Sequence, residues 1–256
     1  MLLHGDCLDL LPTLEAGSID MVLCDLPYGT TACKWDTIIP FEPLWKQYKR
    51  LIKDNGAIVL FGSEPFTSAL VMSNPAMFKY ELIWEKERPT NIFLMKKQPG
   101  KVHENILIFY KNQPVYNPEK EKSLQPKNNT KRNKSQAGRM TGMVHFCLKE
   151  KPMMIGDDYD NGTRFPRSVL KINRGTRNSQ SLHPTQKPVA LFEYLIRTYT
   201  NEGDTVLDNC AGSFTTAIAC LNTNRKYICI EKDEKYFEIG KKRIAEWLDK
   251  KSSELF

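Results

Sequence analysis

Thr205-Val206-Leu207-Asp208-Asn209-Cys210-Ala211-Gly212-Ser213-Phe214-Thr215-Thr216 is the stretch whose reading decides the fold. Thr205 to Leu207 reads as a short buried strand, the small residues after it as a turn, and Ser213 to Leu221 as an apolar helix. Small residues let the backbone approach a ligand, and the free N–H groups of a first helical turn favour a carboxylate or phosphate. A nucleotide-like cofactor is the natural occupant. The next strand, Tyr227 to Ile230, ends on Glu231, about twenty residues beyond the turn, where an acid can accept both hydroxyls of a ribose. No Gly-Lys-Ser/Thr follows the turn, which argues against a phosphate-loop NTPase.

Outward from this unit, short β-rich runs alternate with helical stretches, the pattern of an α/β sheet covered on both faces. The further strand candidates are Ile19 to Cys24, Ala57 to Phe61, Tyr80 to Trp84 and Asn105 to Tyr110. Helices are expected at Phe41 to Lys53, Glu64 to Ser73, Pro188 to Tyr199 and Glu234 to Lys250. Directly after the first of these strands stands Asp25-Leu26-Pro27-Tyr28-Gly29. A carboxylate, a stiffened backbone and an aromatic at the carboxyl end of a parallel strand occupy the edge where open α/β sheets bind ligands. The plainer alternative is a strand-ending turn in which Asp25 acts as an Asx cap. Trp35 and Trp84 read as stacking platforms or as core packing, and His103-Glu104 as a strand-edge hydrogen-bonding pair with no metal.

The 256 residues carry a net charge of +7, and its location is informative. Residues 1–110 hold 11 Lys and Arg against 13 Asp and Glu, residues 179–256 hold 11 against 11, and residues 111–178 hold 15 against 6. All of the positive excess lies in the middle, where Asn, Lys, Gln, Pro and Ser replace the regular pattern and only Met143 to Leu148 resembles a strand. Such a segment reads as a polyanion-facing insertion or as a solvated loop. The seven cysteines include no Cys-x-x-Cys pair, which suggests neither a disulfide framework nor a Cys-rich zinc site and favours a reducing compartment. The start, MLLHGDCLDLL, has no basic n-region, and no apolar run approaches the roughly 18 residues of a spanning helix, so a soluble intracellular protein is expected.

With these motifs in order, the chain resembles the S-adenosylmethionine-dependent amino-methyltransferases of DNA in their circularly permuted β-class arrangement. In that family an Asp-Pro-Pro-Tyr motif precedes the cofactor motif with the target-recognition region between them, the order of Asp25 to Tyr28 and Asp208 to Thr216 here. His183-Pro184-Thr185-Gln186-Lys187-Pro188 is similar to the family element around the methionine end of the cofactor. Gly5-Asp6-Cys7-Leu8 is similar to the segment whose acid contacts adenine. The resemblance implies a Rossmann-like sheet, mostly parallel with one antiparallel strand, divided into a catalytic part (1–110), a basic target-recognition insertion (111–178) and a cofactor-binding part (179–256). The strand missing after Ile230 is then expected at Leu2 to His4.

The resemblance also implies site residues: Asp25, Leu26, Pro27 and Tyr28 for catalysis; Asp6, Cys7, Lys187, Asp208, Asn209, Cys210, Ala211, Gly212, Ser213 and Glu231 for S-adenosylmethionine. Within the basic segment Lys127, Lys131, Arg132, Lys134 and Arg139 are the candidates for contact with double-stranded DNA. Leu26 stands for the family's first proline, which is tolerable if the chemistry uses its carbonyl. Phe214 stands for a glycine in Gly-Ser-Gly-Thr-Thr, and Cys210 takes a position that is often Phe; a large ring beside the cofactor is expected to narrow or reshape its pocket. The initial Asp points to adenine N6 over cytosine N4. No Pro-Cys is present for C5 methylation. The implied enzyme acts on a flipped-out base in a bacterial or phage-infected cytoplasm, alone, as a homodimer or within a restriction-modification system. The rivals are a cytosine-N4 enzyme, an RNA or protein-amide methylase, and an inactive DNA-binding relative in which Phe214 blocks the cofactor.

Overall fold

A computed structural model of the chain describes residues 1–30, 36–122, 163–173 and 186–253. In chain order the elements are β1 Leu2–His4, α1 Cys7–Leu10, β2 Ile19–Cys24, α2 Phe41–Leu51, β3 Ile52–Gly62, α3 Phe66–Ser73, β4 Phe78–Glu85 and β5 His103–Phe109. They continue with β6 Glu121–Lys122, β7 Thr163–Arg164, β8 Val169–Lys171, α4 Val189–Tyr199, β9 Thr205–Asp208, α5 Thr215–Asn222, β10 Lys226–Glu231 and α6 Glu234–Ser253. Eight strands form one sheet in the order β1-β10-β9-β2-β3-β5-β4-β8. Every pairing is parallel except those of β5 with β3 and β4, so β5 alone runs against the rest.

Near-continuous apolar runs make this sheet because both of its faces are covered. Along β2, Ile19, Val22 and Cys24 face one core layer beneath α2 and α3, while Met21 and Leu23 face the layer beneath α4. β3 alternates likewise, with Ile58 and Leu60 on the first side and Val59 and Phe61 on the second. The expected first strand is present: Leu2 pairs with Cys229 and His4 with Glu231, so the first residues complete a sheet edge built from the last. That edge has the form the resemblance to a permuted chain implies.

Some expectations are corrected. The helix expected to reach Lys53 stops at Leu51, because Ile52 turns to φ −71°, ψ 137° and begins β3. α5 starts at Thr215, not Ser213, because Phe214 holds a left-handed conformation. Val169–Lys171, which the sequence reading left inside the insertion, is an edge strand paired with Ile83–Glu85. Contacts divide the chain into Met1–Asn117 with Ser168–Phe256, and Pro118–Arg167. Residues 111–117 thus go with the sheet, and the Asn117 amide donates to the carbonyls of Arg197 and Thr200, both at 3.1 Å. In the second unit, β6 and β7 pair antiparallel and Lys120 lies over the Phe165 ring. Met143 to Leu148 lies outside the described residues. Among those residues no helix is long and apolar enough to cross a membrane, and no cluster of three His, Cys, Asp or Glu could hold a metal ion.

Candidate active site

Strand order reverses between β9 and β2, and outside the carboxyl ends of such a pair an α/β sheet leaves a crevice. A cavity of about 900 Å³ opens there. Its lining includes all four residues of Asp25 to Tyr28, and Asp6, Cys7, Lys187, Asp208 to Ser213 and Glu231. Sequence segments from both ends and the middle of the chain therefore share one wall. Lys127, Lys131, Arg132, Lys134 and Arg139, like Trp35 and His183 to Thr185, lie outside the described residues.

The first lobe is a cradle of backbone and acids. Glu231 accepts the N–H groups of Gly212 at 2.7 Å and Asp233 at 2.8 Å, which fixes its carboxylate at the lip of the turn. Burial raises its pKa despite these donors. Asp6 caps α1 by accepting Leu8 N–H at 2.9 Å and pairs with Lys232 at 2.9 Å; that lysine first, then the amide, holds its pKa down. Asp208 is buried beneath the turn, accepting Cys210 N–H at 3.1 Å and the Thr216 hydroxyl, and burial pushes its pKa up to about 7. Tyr48 donates to Asn209 at 2.5 Å. The thiols of Cys7, Cys24 and Cys210 converge here, all free, and burial pushes Cys24 up to about 12. From α6, Arg243 donates to the Ser213 carbonyl at 2.9 Å and steadies the turn from behind.

Phe214 corrects the sequence reading. Its φ of 59° and ψ of 41° turn the ring away from the cavity. It is fully buried among Ala211, Ala217, Ile218, Cys229 and Ile244 and meets Phe237 edge-on at 5.6 Å. Gly240 of α6 makes room, since a Cβ there would collide with the ring. The lining of the turn is therefore Ala211, Gly212 and Ser213, small enough for a backbone to follow a ligand closely. Acids at one end, close backbone in the middle and the Ser213–Gln186 pair (3.3 Å) at the other suit a nucleoside joined to an amino acid. The residues fit S-adenosylmethionine.

The second lobe holds Asp25 between two donors. Tyr28 gives its hydroxyl to Asp25 Oδ1 at 2.7 Å, and the Lys187 ammonium binds Oδ2. Lys187 also lies 3.2 Å from Glu104 Oε2, and Lys86 binds the other Glu104 oxygen, so two lysines and two carboxylates alternate. Burial opposes the Lys187 charge, but Asp25 and Glu104 outweigh it and raise its pKa. Burial of Glu104 is likewise overcome by Lys187 and Lys86, which lower its pKa. Desolvation and then the Asp25 charge keep Tyr28 protonated as a donor. Leu26 buries its side chain in the core and so offers the cavity its main chain. The Tyr28 ring stacks on Phe66 at 5.0 Å, and Asp36 clamps the following loop by accepting Gly29 and Thr30 N–H, both at 2.9 Å.

Glu104 accepts a hydrogen bond near the start of its strand as expected, and through the same contact with Lys86 and that with Lys187 it becomes an ion-paired wall of the site. Its signal was a charge abutting the apolar run Ile106 to Phe109, but only the cross-strand register Trp84↔Glu104 brings it beside Lys86. Trp84 itself is buried, with its indole N–H on the Ile172 carbonyl at 2.8 Å.

The family model N6_N4_Mtase, described as DNA methylase, matches residues 19–242. The relative named "Putative methylase YubD" of Escherichia coli strain K12 is 44% identical, over 95% of this chain and 89% of that protein. DNA adenine methyltransferase YhdJ of the same strain is 27% identical, over 95% and 82%. The solved M1.HpyAVI–SAM complex superposes with a TM-score of 0.61 at 24% identity, over 95% of this chain and 98% of that one. The cytosine-N4-specific PvuII DNA methyltransferase gives 0.65 at 17%, over 93% and 84%, a likeness of fold. A permuted, mostly parallel sheet, an Asp-x-Pro-Tyr pocket beside a small-residue cradle, and a family match across most of the chain agree: the protein belongs to the N6/N4 DNA methylase family, whose members use S-adenosylmethionine.

Proposed function

We propose that the chain transfers a methyl group from S-adenosylmethionine to the N6 amino nitrogen of adenine in DNA. The observation that carries this reading is the Asp25 carboxylate, lodged beside the Leu26 main chain and Tyr28 at the inner end of a cavity whose other lobe fits the cofactor. When bound, S-adenosylmethionine supplies an activated methyl group. The chain's part is to prepare the nitrogen, a poor nucleophile because its lone pair is delocalised into the ring. Asp25 and the Leu26 carbonyl accept the two amino N–H bonds, which favours a pyramidal nitrogen with a directed lone pair. The base reaches them by leaving the duplex, with Tyr28 against its face. No side chain bonds covalently to the base.

Both Asp25 oxygens are engaged, by Tyr28 and Lys187. An incoming amino group therefore displaces one donor, and Glu104 is placed to retain Lys187 when it yields. In this reading Lys187, expected at the cofactor, is instead a positioning residue that, together with Glu104, holds the Asp25 carboxylate in place until the base arrives. Asp6 and Glu231 hold the nucleoside end of the cofactor, and Cys7, Asp208, Asn209, Cys210, Ala211, Gly212 and Ser213 line its path. Lys127, Lys131, Arg132, Lys134 and Arg139 supply phosphate contacts from the basic insertion, and the enzyme acts in a bacterial cytoplasm.

Adenine is preferred because relative YhdJ is named an adenine methyltransferase and the motif begins with Asp. Cytosine N4 is the second reading, favoured by the breadth of the family and the fold of the PvuII enzyme. Long-read sequencing and nucleoside mass spectrometry of DNA from cells expressing the protein, beside an Asp25→Ala control, test the proposal. N6-methyladenine in one sequence context, absent in the control, is expected; N4-methylcytosine as the sole modified base overturns it.

A further inference from the structure

The loop between β4 and β5 carries the largest unexplained surface feature among the described residues. Ile92, Phe93, Leu94 and Met95 follow one another at its tip; Phe93 is 100% exposed and the others 47 to 64%. Elsewhere among those residues, large exposed apolar side chains stand singly, which needs no explanation. Here the exposure is built, not frayed. Ile92–Leu94 forms a 3₁₀ turn, Lys97 N–H closes on the Leu94 carbonyl at 2.8 Å, and the Asn91 side chain accepts Lys101 N–H at 2.6 Å while donating to the Pro99 carbonyl at 3.1 Å. Gly100 lies against Pro89 and Met95, where a Cβ would come within 2.9 and 3.3 Å. Leu94 N–H on the Asn91 carbonyl and Met95 N–H on the Ile92 carbonyl fold the tip on itself and leave its apolar side chains outward.

Two further observations name an occupant. From Glu87 to Lys101 the loop holds Arg88, Lys96, Lys97 and Lys101 against the single acid Glu87, so the apolar tip stands among cations. The loop is also continuous with the catalytic cavity, since Thr90 and Lys101 belong to its lining and Thr90 N–H donates to the Lys101 carbonyl at 3.0 Å. Phe93 is three positions beyond Thr90, a reach of at most about 11 Å, or roughly three base steps of one strand. An apolar point between cations, at that distance from a pocket for an extruded base, matches a base stack between two rows of phosphates.

We infer that this tip is a wedge that enters duplex DNA beside the base pocket, with Phe93 inserted into the stack and Lys96 and Lys97 on the flanking phosphates. The inference rests on the DNA-methyltransferase reading and adds to it a contact outside the basic insertion. Insertion of an apolar side chain between base steps unstacks and kinks the duplex, and separating stacked bases untwists it, which plasmid topology records.

The test relaxes a closed-circular plasmid with topoisomerase I in the presence of the protein and S-adenosylhomocysteine, then compares linking numbers at equal bound fractions. The native protein is expected to lower the linking number, Phe93→Ala to reduce that change at least about threefold, and Phe93→Trp to restore it. Thermal melts confirm that the variants fold. Equal changes for native and Phe93→Ala, or no change with the native protein, overturn the wedge. So does a dimer that Phe93→Ala converts to monomer in sedimentation while topology stays the same, because the tip would then be a protein interface. Mass spectrometry of a parallel sample of the plasmid incubated with the protein and S-adenosylmethionine separates the two ideas: N6-methyladenine without untwisting removes the wedge alone, and untwisting without N6-methyladenine removes the adenine assignment alone.

Discussion

Phe214 occupies a backbone conformation that a ring-bearing residue adopts at a cost of about 1–2 kcal/mol, offset by burial of the ring against Gly240 and Phe237. Residues 214 and 240 should therefore be coupled. Gly240→Ala is expected to destabilise by about 1–3 kcal/mol through overpacking. Phe214→Gly should also destabilise, since the emptied site outweighs the relieved backbone, but the double variant should be more stable than the sum of the two changes by about 1 kcal/mol or more. Urea melts of the four proteins measure this, and additivity would refute the coupling. The sequence reading placed the ring beside the cofactor because Phe214 stands for a glycine of the cofactor motif, and its neighbours Ser213 and Thr215 do line the cavity; a sign change in one φ angle, invisible in composition, moved the ring to the opposite side. Asp208 makes a second prediction at this scale. Its pKa is about 7 in the fold against an ordinary 3.8, so between those values the folded protein keeps a proton that the unfolded chain releases. Its favourable contribution is complete below pH 4 and is lost as pH rises through 7. Relative to Asp208→Asn, the native protein should lose stability from pH 4 to 7 by up to ~1.4 kcal/mol per unit, read from urea melts across that range. A difference independent of pH would contradict the assignment.

Elements were legible where hydrophobic patterning and topology coincide. β2 has the expected bounds, Ile19 to Cys24, because six consecutive positions are all wholly or partly buried. β1 was legible from topology, since a cofactor half that ends at β10 lacks a neighbour that only Leu2 to His4 could supply. The helix–strand boundary at Ile52 was not, because Lys53, Asp54 and Asn55 resemble a turn yet lie within β3, with Asp54 and Asn55 exposed on it. The ion-paired wall was hidden for a related reason. Lys86, Glu104 and Lys187 are scattered along the chain, and only the antiparallel register of β4 with β5 and the approach to α4 assemble them around Asp25. Individual motifs were readable from neighbouring residues; the charges that tune them were not.

At the scale of the whole molecule, charge and chemistry are segregated. Residues 1–110 and 179–256 are acidic to neutral, while residues 111–178 hold 15 cations against 6 acids. If that segment holds DNA, affinity should fall steeply with salt, with a slope near −0.9 per neutralised phosphate. Substituting Lys131, Arg132 and Lys134 by Ala together should lower the slope by about 2–3, measured by fluorescence anisotropy on one duplex across a salt series. An unchanged slope would place the phosphate contacts elsewhere.

The joining of β1 to β10 imposes an order in time. Leu2 leaves the ribosome long before its partner Cys229, which is made 227 residues later in chain numbering, a delay of roughly 11–45 s at 5–20 residues per second. Asp6 and Glu231 can meet only after that interval, so an interrupted translation product, however well its early strands pair, lacks the cavity wall that these two acids complete. Methylating capacity then arrives in a single late step, and a nascent fragment bound to DNA would leave the bases as it found them.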